Sequence, residues 1–153
     1  MAVKSILMVC RGNICRSPMA EGFFTHQLTK IQSPITVSSA GISALVEHPA
    51  DESALAVMNK NSIDLSSHRA RQLSETIVKK ADLILVMTHS HLKTIAGQYL
   101  SAKGKTFLLG CWQRFEINDP YQLNTAAFEK VYQQIELAWQ DWKSRILTCQ
   151  TCV

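Results

Sequence analysis

Residues 5–18 read SILMVCRGNICRSP, and this stretch decides the fold because it joins a buried strand to a helix. The continuous apolar run that opens it is typical of a strand covered on both faces. Pro18 suits the first turn of a helix, where its missing N–H leaves no hydrogen bond unmade. The turn between strand and helix therefore carries a thiol, Cys10, and a guanidinium, Arg16, with five residues between them.

This turn has the properties of an anion cradle. Gly12 permits a backbone conformation that other residues resist, and successive N–H groups at the start of a helix can converge on an anion. Arg16 can hold two phosphate oxygens at once, which a lysine cannot do. The same positive field favours the thiolate of Cys10, which can attack phosphorus and hold a phosphoryl group covalently. The motif is neither a nucleotide P-loop nor a dinucleotide fingerprint, so it predicts phosphoryl chemistry through cysteine.

Length and composition favour one globular domain. The 153 residues are 46% hydrophobic and 18% charged, which is enough apolar material for a core. We expect a single domain over residues 1–147 and a flexible tail over 148–153. No apolar run reaches the roughly 20 residues that span a bilayer, and the chain shows no signal peptide. We therefore expect a cytoplasmic protein without membrane insertion.

Charge and cysteine content limit the possible ligands. The net charge of +4 is dispersed, which indicates mild attraction to anionic substrates and argues against nucleic-acid binding. Cys149 and Cys152 have the spacing of half a zinc site, but no second ligand pair accompanies them and a zinc site needs about four ligands. His89 and His91 do not form a convincing metal pair either. We expect no metal and no cofactor.

Strands and helices alternate along the whole chain. This alternation predicts a parallel sheet that is covered on both faces by right-handed crossovers. Ligands of such sheets bind beyond the carboxyl ends of the strands, where Cys10 lies. The expected strands are residues 4–9, 35–39, 82–87 and 105–109. The first expected helix has Pro18 in its first turn, and the others cover 49–61, 74–80, 92–99 and 128–146.

A second motif, Asp119-Pro120-Tyr121, lies in the loop after the fourth expected strand. An aryl leaving group departs as phenolate unless it is protonated, and a carboxylic acid at the bridging oxygen removes that cost. Pro120 restricts Asp119 to an extended or turn conformation, which fixes where the carboxyl group points. The same carboxylate can later deprotonate the water that hydrolyses a phosphocysteine. Asp119 is therefore the predicted general acid and base.

With both motifs identified, the chain resembles the low-molecular-weight protein tyrosine phosphatases over about residues 4–142. Residues 9–18 match the signature loop of that family, and the Asp-Pro-Tyr motif matches its acid loop. The resemblance implies a three-layer α/β sandwich whose four parallel strands run in the order 2-1-3-4, hydrolysis without metal, and a phosphocysteine intermediate. It implies that Cys10 is the nucleophile, Arg16 the phosphate clamp and Asp119 the general acid.

The resemblance also implies supporting roles around the phosphate. Ser17 corresponds to the hydroxyl that bonds the thiolate, and Asn13 to the side chain that braces the loop. The other expected positions are Arg11, Gly12, Ile14 and Cys15 in the phosphate loop, Ser39 and His68 as partners of Asn13, and Arg11, Leu45 and Tyr121 in the slot for the phenyl ring.

Two residues of the loop suggest specificity and redox control. Many relatives carry an apolar or small residue where this chain has Arg11, and we expect Arg11 to favour acidic residues near the phosphotyrosine unless it is only a solvated charge. In this family a cysteine at the position of Cys15 can form a reversible disulfide with the nucleophile, which protects the nucleophile from irreversible oxidation. The alternative is that Cys15 only packs the loop.

Segments 39–53 and 86–92 look more like the bacterial phosphatases associated with exopolysaccharide or capsule synthesis. Those enzymes act on the tyrosine-rich tail of a membrane tyrosine autokinase. The expected partner is therefore a phosphotyrosine protein of that kind, and the expected oligomeric state is a monomer.

Three other functions are compatible with parts of the sequence. An arsenate reductase of the same fold would need resolving cysteines, and none lies between Cys15 and Cys111, where a redox helix would carry them. A phosphocysteine carrier of a sugar phosphotransferase system must keep water away from its phosphocysteine, so an acid and base such as Asp119 is unwanted. A phosphotyrosine-binding module would lack the nucleophile or the acid. Tyrosine phosphatase is the function that both motifs favour.

Overall fold

The computed structural model describes residues 2–147, and its sheet is built around the strand predicted first. Within these residues four parallel strands lie in the order β2-β1-β3-β4, which confirms the predicted topology. Their bounds are Ser5–Cys10 (β1), Thr36–Gly41 (β2), Leu83–Val86 (β3) and Thr106–Leu108 (β4). The expected tail, with Cys149 and Cys152, lies outside the described residues.

Helices follow the strands as the alternation predicts. They are Arg16–Lys30 (α1), Glu52–Lys60 (α2), Glu75–Lys80 (α3), His89–Gln98 (α4) and Thr125–Leu147 (α5), and a short 3-10 helix covers Leu100–Ala102. Four of these helices begin at a polar side chain that accepts a backbone N–H, namely Asp51 for α2, Ser74 for α3, Thr88 for α4 and Asn124 for α5.

The two faces of the sheet are buried under different helices, which confirms the three-layer arrangement. Ile6 and Met8 of β1 belong to the core that contains α1, α2 and α5, whereas Leu7 and Val9 belong to the core that contains α3 and α4. Successive side chains of a strand point to opposite faces, so a strand buried on both faces must be apolar throughout.

The register brings the carboxyl ends of three strands to one edge of the sheet. Cys10 pairs with Gly41, and Val9 pairs with Val86. Gly41 is required here because a Cβ atom would lie 2.6 Å from the backbone oxygen of Arg11. The close approach holds the loop after β1 against the segment after β2. No helix within residues 2–147 is both long and apolar enough to cross a membrane.

Candidate active site

A cavity of about 340 Å³ opens at this edge of the sheet and contains both predicted motifs. Cys10 is 2% exposed and lies at the end of β1, so the thiol forms the floor of the cavity. The residues that line it are Cys10, Arg11, Gly12, Ile14, Cys15, Arg16, Ser43, Leu45, Asp119 and Tyr121. Of these only Ser43 was absent from the sequence prediction, because neither of the two motifs includes it.

Hydrogen bonds of the Asn13 side chain brace the loop between β1 and α1. Asn13 has a φ of 60°, a left-handed conformation that asparagine tolerates better than most residues. Its amide nitrogen donates to the hydroxyls of Ser17 (2.8 Å) and Ser39 (2.9 Å), and its amide oxygen accepts from the backbone N–H of Arg71 (3.0 Å). His68 Nε2 lies 2.7 Å from the Asn13 carbonyl oxygen. The structure thus brings together the three predicted supports of the loop.

This network orients the hydroxyl of Ser17 toward the thiol. The Ser17 oxygen accepts from Asn13, so its own proton is free to bond Cys10 Sγ, which lies 2.9 Å away. A hydroxyl that donates to sulfur stabilises the thiolate over the thiol. The start of α1 acts in the same direction, because within residues 2–147 it has no capping side chain and no acidic residue in its first turn.

Glu21 extends the network and was not predicted. Its Oε2 accepts from the Ser39 hydroxyl at 3.0 Å and lies 3.8 Å from His68 Nδ1. Burial raises the pKa of Glu21, while the Ser39 hydroxyl and His68 act to lower it. Helical spacing could have indicated Glu21 in the sequence, because it follows Ser17 by one turn of α1 and lies on the same face of the helix.

Arg16 connects the phosphate loop to the acid loop, which we define as residues 116–121. Arg16 is 4% exposed; its NH1 donates to the Ile117 carbonyl oxygen at 3.0 Å, and its NH2 lies 3.7 Å from Asp119 Oδ2. Its Nε is buried and has no hydrogen-bond partner in the part of the chain that the structure describes. This N–H is therefore available to an anion in the cavity.

Asp119 lies at the mouth of the cavity. Its side chain is 51% exposed, and Oδ1 accepts from the backbone N–H of Tyr121 at 3.1 Å, an Asx turn around Pro120. The turn fixes the direction of the carboxyl group and leaves Oδ2 on the side of Arg16.

The walls above the thiol are apolar at their rim. Leu45 and Tyr121 line the cavity and are 41% and 45% exposed, and Arg11 is exposed beside them. Backbone bonds from Ser43 to Arg11 (2.9 Å) and from Leu45 to Gly12 (3.0 Å) attach one wall to the phosphate loop. All three predicted slot residues therefore line one cavity that narrows to a buried thiol.

Two further titratable groups surround the cavity. Burial, followed by the charge of Arg16, lowers the pKa of His91 to about 4, so this ring in the first turn of α4 is neutral at pH 7. Burial raises the pKa of the Cys15 thiol, with contributions from Asp51 and Cys10, so Cys15 stays protonated. In the sequence, His91 was weighed only as a metal ligand, and its position beside this site was not predicted.

A larger open groove, of about 820 Å³, lies behind the phosphate loop. It is lined by residues of α1, β2 and the segment 62–71, including Glu21 and His68, and it contains neither Cys10 nor Asp119. The chemistry therefore belongs to the smaller cavity.

Comparison with known proteins identifies the family. The model of the low molecular weight phosphotyrosine protein phosphatase family matches residues 5–150. The low molecular weight protein-tyrosine-phosphatase Ptp of Acinetobacter johnsonii is 44% identical over 95% of this chain and 100% of its own length. The chain belongs to the low-molecular-weight protein tyrosine phosphatase family, which confirms the resemblance seen in its two motifs.

Solved structures agree with this assignment. The tyrosine phosphatase Wzb from Escherichia coli K30, in complex with sulphate, is 41% identical, with a TM-score of 0.88 over 94% of this chain and 99% of Wzb. Wzb of Vibrio vulnificus, in complex with benzylphosphonate, is 38% identical, with a TM-score of 0.88 and the same coverage of both chains.

Proposed function

We propose that this chain is a protein tyrosine phosphatase that hydrolyses phosphotyrosine and other aryl phosphates through a phosphocysteine. The observation that carries this proposal is that one cavity contains the thiol of Cys10, the guanidinium of Arg16 and the carboxyl group of Asp119. We also propose that residues 1–147 act as a single phosphatase domain, that the protein is a cytoplasmic monomer, and that it uses no cofactor.

In the first step the thiolate of Cys10 attacks phosphorus. Arg16 and the amides at the start of α1 hold the non-bridging oxygens, where negative charge accumulates. A P–S bond forms while the bond from phosphorus to the phenolic oxygen breaks, and Asp119 donates a proton to that oxygen as it leaves. The products of this step are a neutral phenol, a phosphocysteine and an ionised Asp119.

In the second step Asp119 takes a proton from a water molecule, whose oxygen attacks phosphorus. The P–S bond breaks and inorganic phosphate forms. The Cys10 thiolate is the leaving group, and the hydroxyl of Ser17, 2.9 Å from the sulfur, stabilises the negative charge that returns to it. Asp119 is then protonated again, so the site is ready for another turnover.

The depth of the cavity supports an aryl substrate. Cys10 is 2% exposed and lies below the exposed rim formed by Leu45 and Tyr121. A phosphate on a rigid phenyl ring reaches this floor and packs the ring between the two walls, whereas the short side chain of phosphoserine does not. We therefore expect phosphotyrosine to be hydrolysed much faster than phosphoserine in peptides of the same sequence.

Hydrolysis is favoured over the two other phosphate-loop functions. Asp119 Oδ2 lies 3.7 Å from the phosphate clamp, which suits water activation and is unfavourable for a stable phosphocysteine carrier. Among residues 2–147 the free cysteines are Cys10, Cys15 and Cys111, and Cys111 does not line the cavity, so these residues supply no later member of a resolving cascade of the arsenate-reductase type.

The decisive experiment measures hydrolysis of p-nitrophenyl phosphate and of phosphotyrosyl peptides in the presence of a metal chelator. We expect Cys10→Ser to abolish turnover and Asp119→Asn to slow turnover of phosphotyrosine by roughly two to four orders of magnitude. Cys111→Ser is the matched control, because Cys111 is a partly exposed thiol outside the cavity, and it should retain full activity. Full activity of Cys10→Ser would refute the mechanism.

The rim residue Arg11 is proposed to select acidic sequences around the phosphotyrosine. Arg11 is exposed at the mouth of the cavity, where its charge can meet a substrate side chain without being desolvated. Arg11→Ala should reduce the rate on acidic phosphopeptides more than the rate on neutral ones. Equal reductions would show that Arg11 is only a solvated charge.

Cys15 is proposed to protect the nucleophile. Peroxide converts the Cys10 thiolate to a sulfenic acid, and the Cys15 thiol can condense with it to a disulfide with loss of water. Both sulfurs border the same cavity. Wild type treated with peroxide should recover activity with a thiol reductant, whereas Cys15→Ala should recover much less; equal recovery would assign Cys15 to packing.

As physiological substrate we propose the phosphorylated tyrosine-rich tail of a membrane tyrosine autokinase. The support is the resemblance of segments 39–53 and 86–92 to the bacterial phosphatases of exopolysaccharide and capsule synthesis. A purified kinase tail should be dephosphorylated faster than a generic phosphotyrosyl peptide. A tail that is a poorer substrate than the generic peptide would refute this partner.

A further inference from the structure

We propose that Glu116 is a positioning residue that holds the acid loop against the start of α4 and thereby sets the proton-donating position of Asp119. The inference rests on the proposed function, because it concerns how the general acid is held. Glu116 does not line the cavity, and no motif of the sequence includes it.

The carboxylate of Glu116 completes the start of a neighbouring helix. Its Oε2 accepts from the backbone N–H of His89, the first residue of α4, at 2.7 Å. The N-terminus of a helix carries unpaired N–H groups and a partial positive charge, both of which favour an anion. Within its first turn α4 has no acidic residue of its own, so the favourable negative charge comes from the acid loop.

Two hydrogen bonds to backbone groups of the same loop attach it to its surroundings. The Ile117 N–H donates to the Met87 carbonyl oxygen at 2.9 Å, just before α4, and Gln134 Nε2 of α5 donates to the Glu116 carbonyl oxygen at 3.3 Å. Glu116 therefore supplies a charged contact between this loop and the start of α4. The loop is held between β3, α4 and α5 immediately before it enters the site.

The attachment is connected directly to the reacting groups. The carbonyl oxygen of Ile117 accepts from Arg16 NH1 at 3.0 Å, and Asp119 follows two residues later, 3.7 Å from Arg16 NH2. The Asp119 side chain is 51% exposed, and its Oδ1 accepts a local hydrogen bond from the Tyr121 N–H. Its position relative to the phosphate clamp therefore depends on the backbone of residues 116–118.

Loss of this contact should impair proton donation specifically. The test compares kcat/KM for two substrates. The leaving group of phenyl phosphate needs a proton, whereas that of dinitrophenyl phosphate does not. Glu116→Ala should lower kcat/KM for phenyl phosphate about tenfold, equivalent to about 1.4 kcal/mol, and for dinitrophenyl phosphate by less than about twofold. Glu116→Gln keeps an acceptor oxygen without the charge and should lie between Glu116→Ala and wild type.

A double variant and a surface control complete the test. In an Asp119→Asn background Glu116→Ala should cause no further loss on phenyl phosphate, because the donor that it positions is already absent. Glu129→Ala is the matched control, since Glu129 pairs with Lys60 at 3.3 Å on the surface of α5 and α2. It should leave both substrates at wild-type rates.

Each outcome decides for or against the inference. Equal losses on the two substrates, or an additive loss in the double variant, would reduce Glu116 to a structural role. Wild-type rates for Glu116→Ala together with a slow Asp119→Asn would overturn the inference and leave the proposed function intact. Wild-type rates for Asp119→Asn on phenyl phosphate would instead overturn the proposed function.

Discussion

His91 beside the site is expected to make the stability of the protein depend on pH, because the fold keeps its ring neutral. The residue is 9% exposed in the first turn of α4, and its Nδ1 is buried without a hydrogen-bond partner among the described residues. Burial, followed by the charge of Arg16, lowers its pKa from 6.5 to about 4. The unfolded chain charges this ring near its ordinary pKa, so between these two values the unfolded state binds more protons than the folded state.

The sign and size of the effect follow from this difference in proton binding. Stability contributed by a neutral His91 is present above pH 6.5 and is lost progressively as the pH falls to about 4. At 1.36 kcal/mol per unit of pKa, the full loss is about 3 kcal/mol, of which about 2 kcal/mol has been lost by pH 5. His91→Asn has no titrating ring at this position, so this pH-dependent contribution to stability is absent.

Urea unfolding of wild type and His91→Asn at about pH 7.5 and about pH 5 measures the effect. The stability of wild type relative to His91→Asn should decrease by about 2 kcal/mol between the two conditions, whatever the baseline difference at the higher pH. His89→Asn is the control, because His89 is exposed on the same turn, and it should follow the wild-type pH dependence. If wild type and His91→Asn lose the same free energy on acidification, His91 is not held neutral by the fold.

Three more outcomes follow from the site. Arg16→Lys should lower kcat/KM for phosphotyrosine by roughly a hundredfold in steady-state assays, because lysine cannot bind two oxygens; a smaller than fivefold loss would contradict the clamp. Asn13→Ala should lower the urea-unfolding free energy by about 2–4 kcal/mol, because it removes one hydrogen bond from each of two buried hydroxyls and one from the Arg71 N–H; an unchanged value would contradict this. Burial raises the pKa of Glu21, so stability from this group is lost as the pH rises above the ordinary glutamate range. In urea unfolding, the free energy of unfolding of Glu21→Gln should decrease less than that of wild type over this pH range. An equal decrease in the two proteins would contradict this.

Much of the fold was predictable because it depends on local pattern. The short apolar run before Cys10 is typical of a strand buried on both faces, and the alternation of strands and helices favours parallel pairing. The bounds were less accurate. α4 begins at His89, before the expected start at 92, and β4 covers Thr106–Leu108 where residues 105–109 were expected. An apolar run marks burial, whereas the ends of an element depend on which backbone groups find partners.

The site was predictable to the extent that its members are neighbours in the chain. The residues of the loop from Cys10 to Ser17 share one turn, so their contacts follow from its geometry. Asp119 was predicted from chemistry, because aryl phosphate hydrolysis requires an acid and a proline constrains this one. Glu116 carries no local signal, and helical spacing relates Glu21 to Ser17 but not to its partner; Ser39 and His89, the partners of the two glutamates, lie on other elements.

The sequence by itself predicted a cysteine nucleophile in an anion cradle at the end of a buried strand, because a thiol and a guanidinium occur there at a spacing that one turn imposes. Only the tertiary structure decided how that cradle is charged and braced. It places the neutral ring of His91 beside Arg16, the carboxyl group of Glu21 behind Asn13, and the carboxylate of Glu116 at the start of α4. Burial and electrostatic pairing depend on which elements pack together, and that information is not contained in any short stretch of the chain.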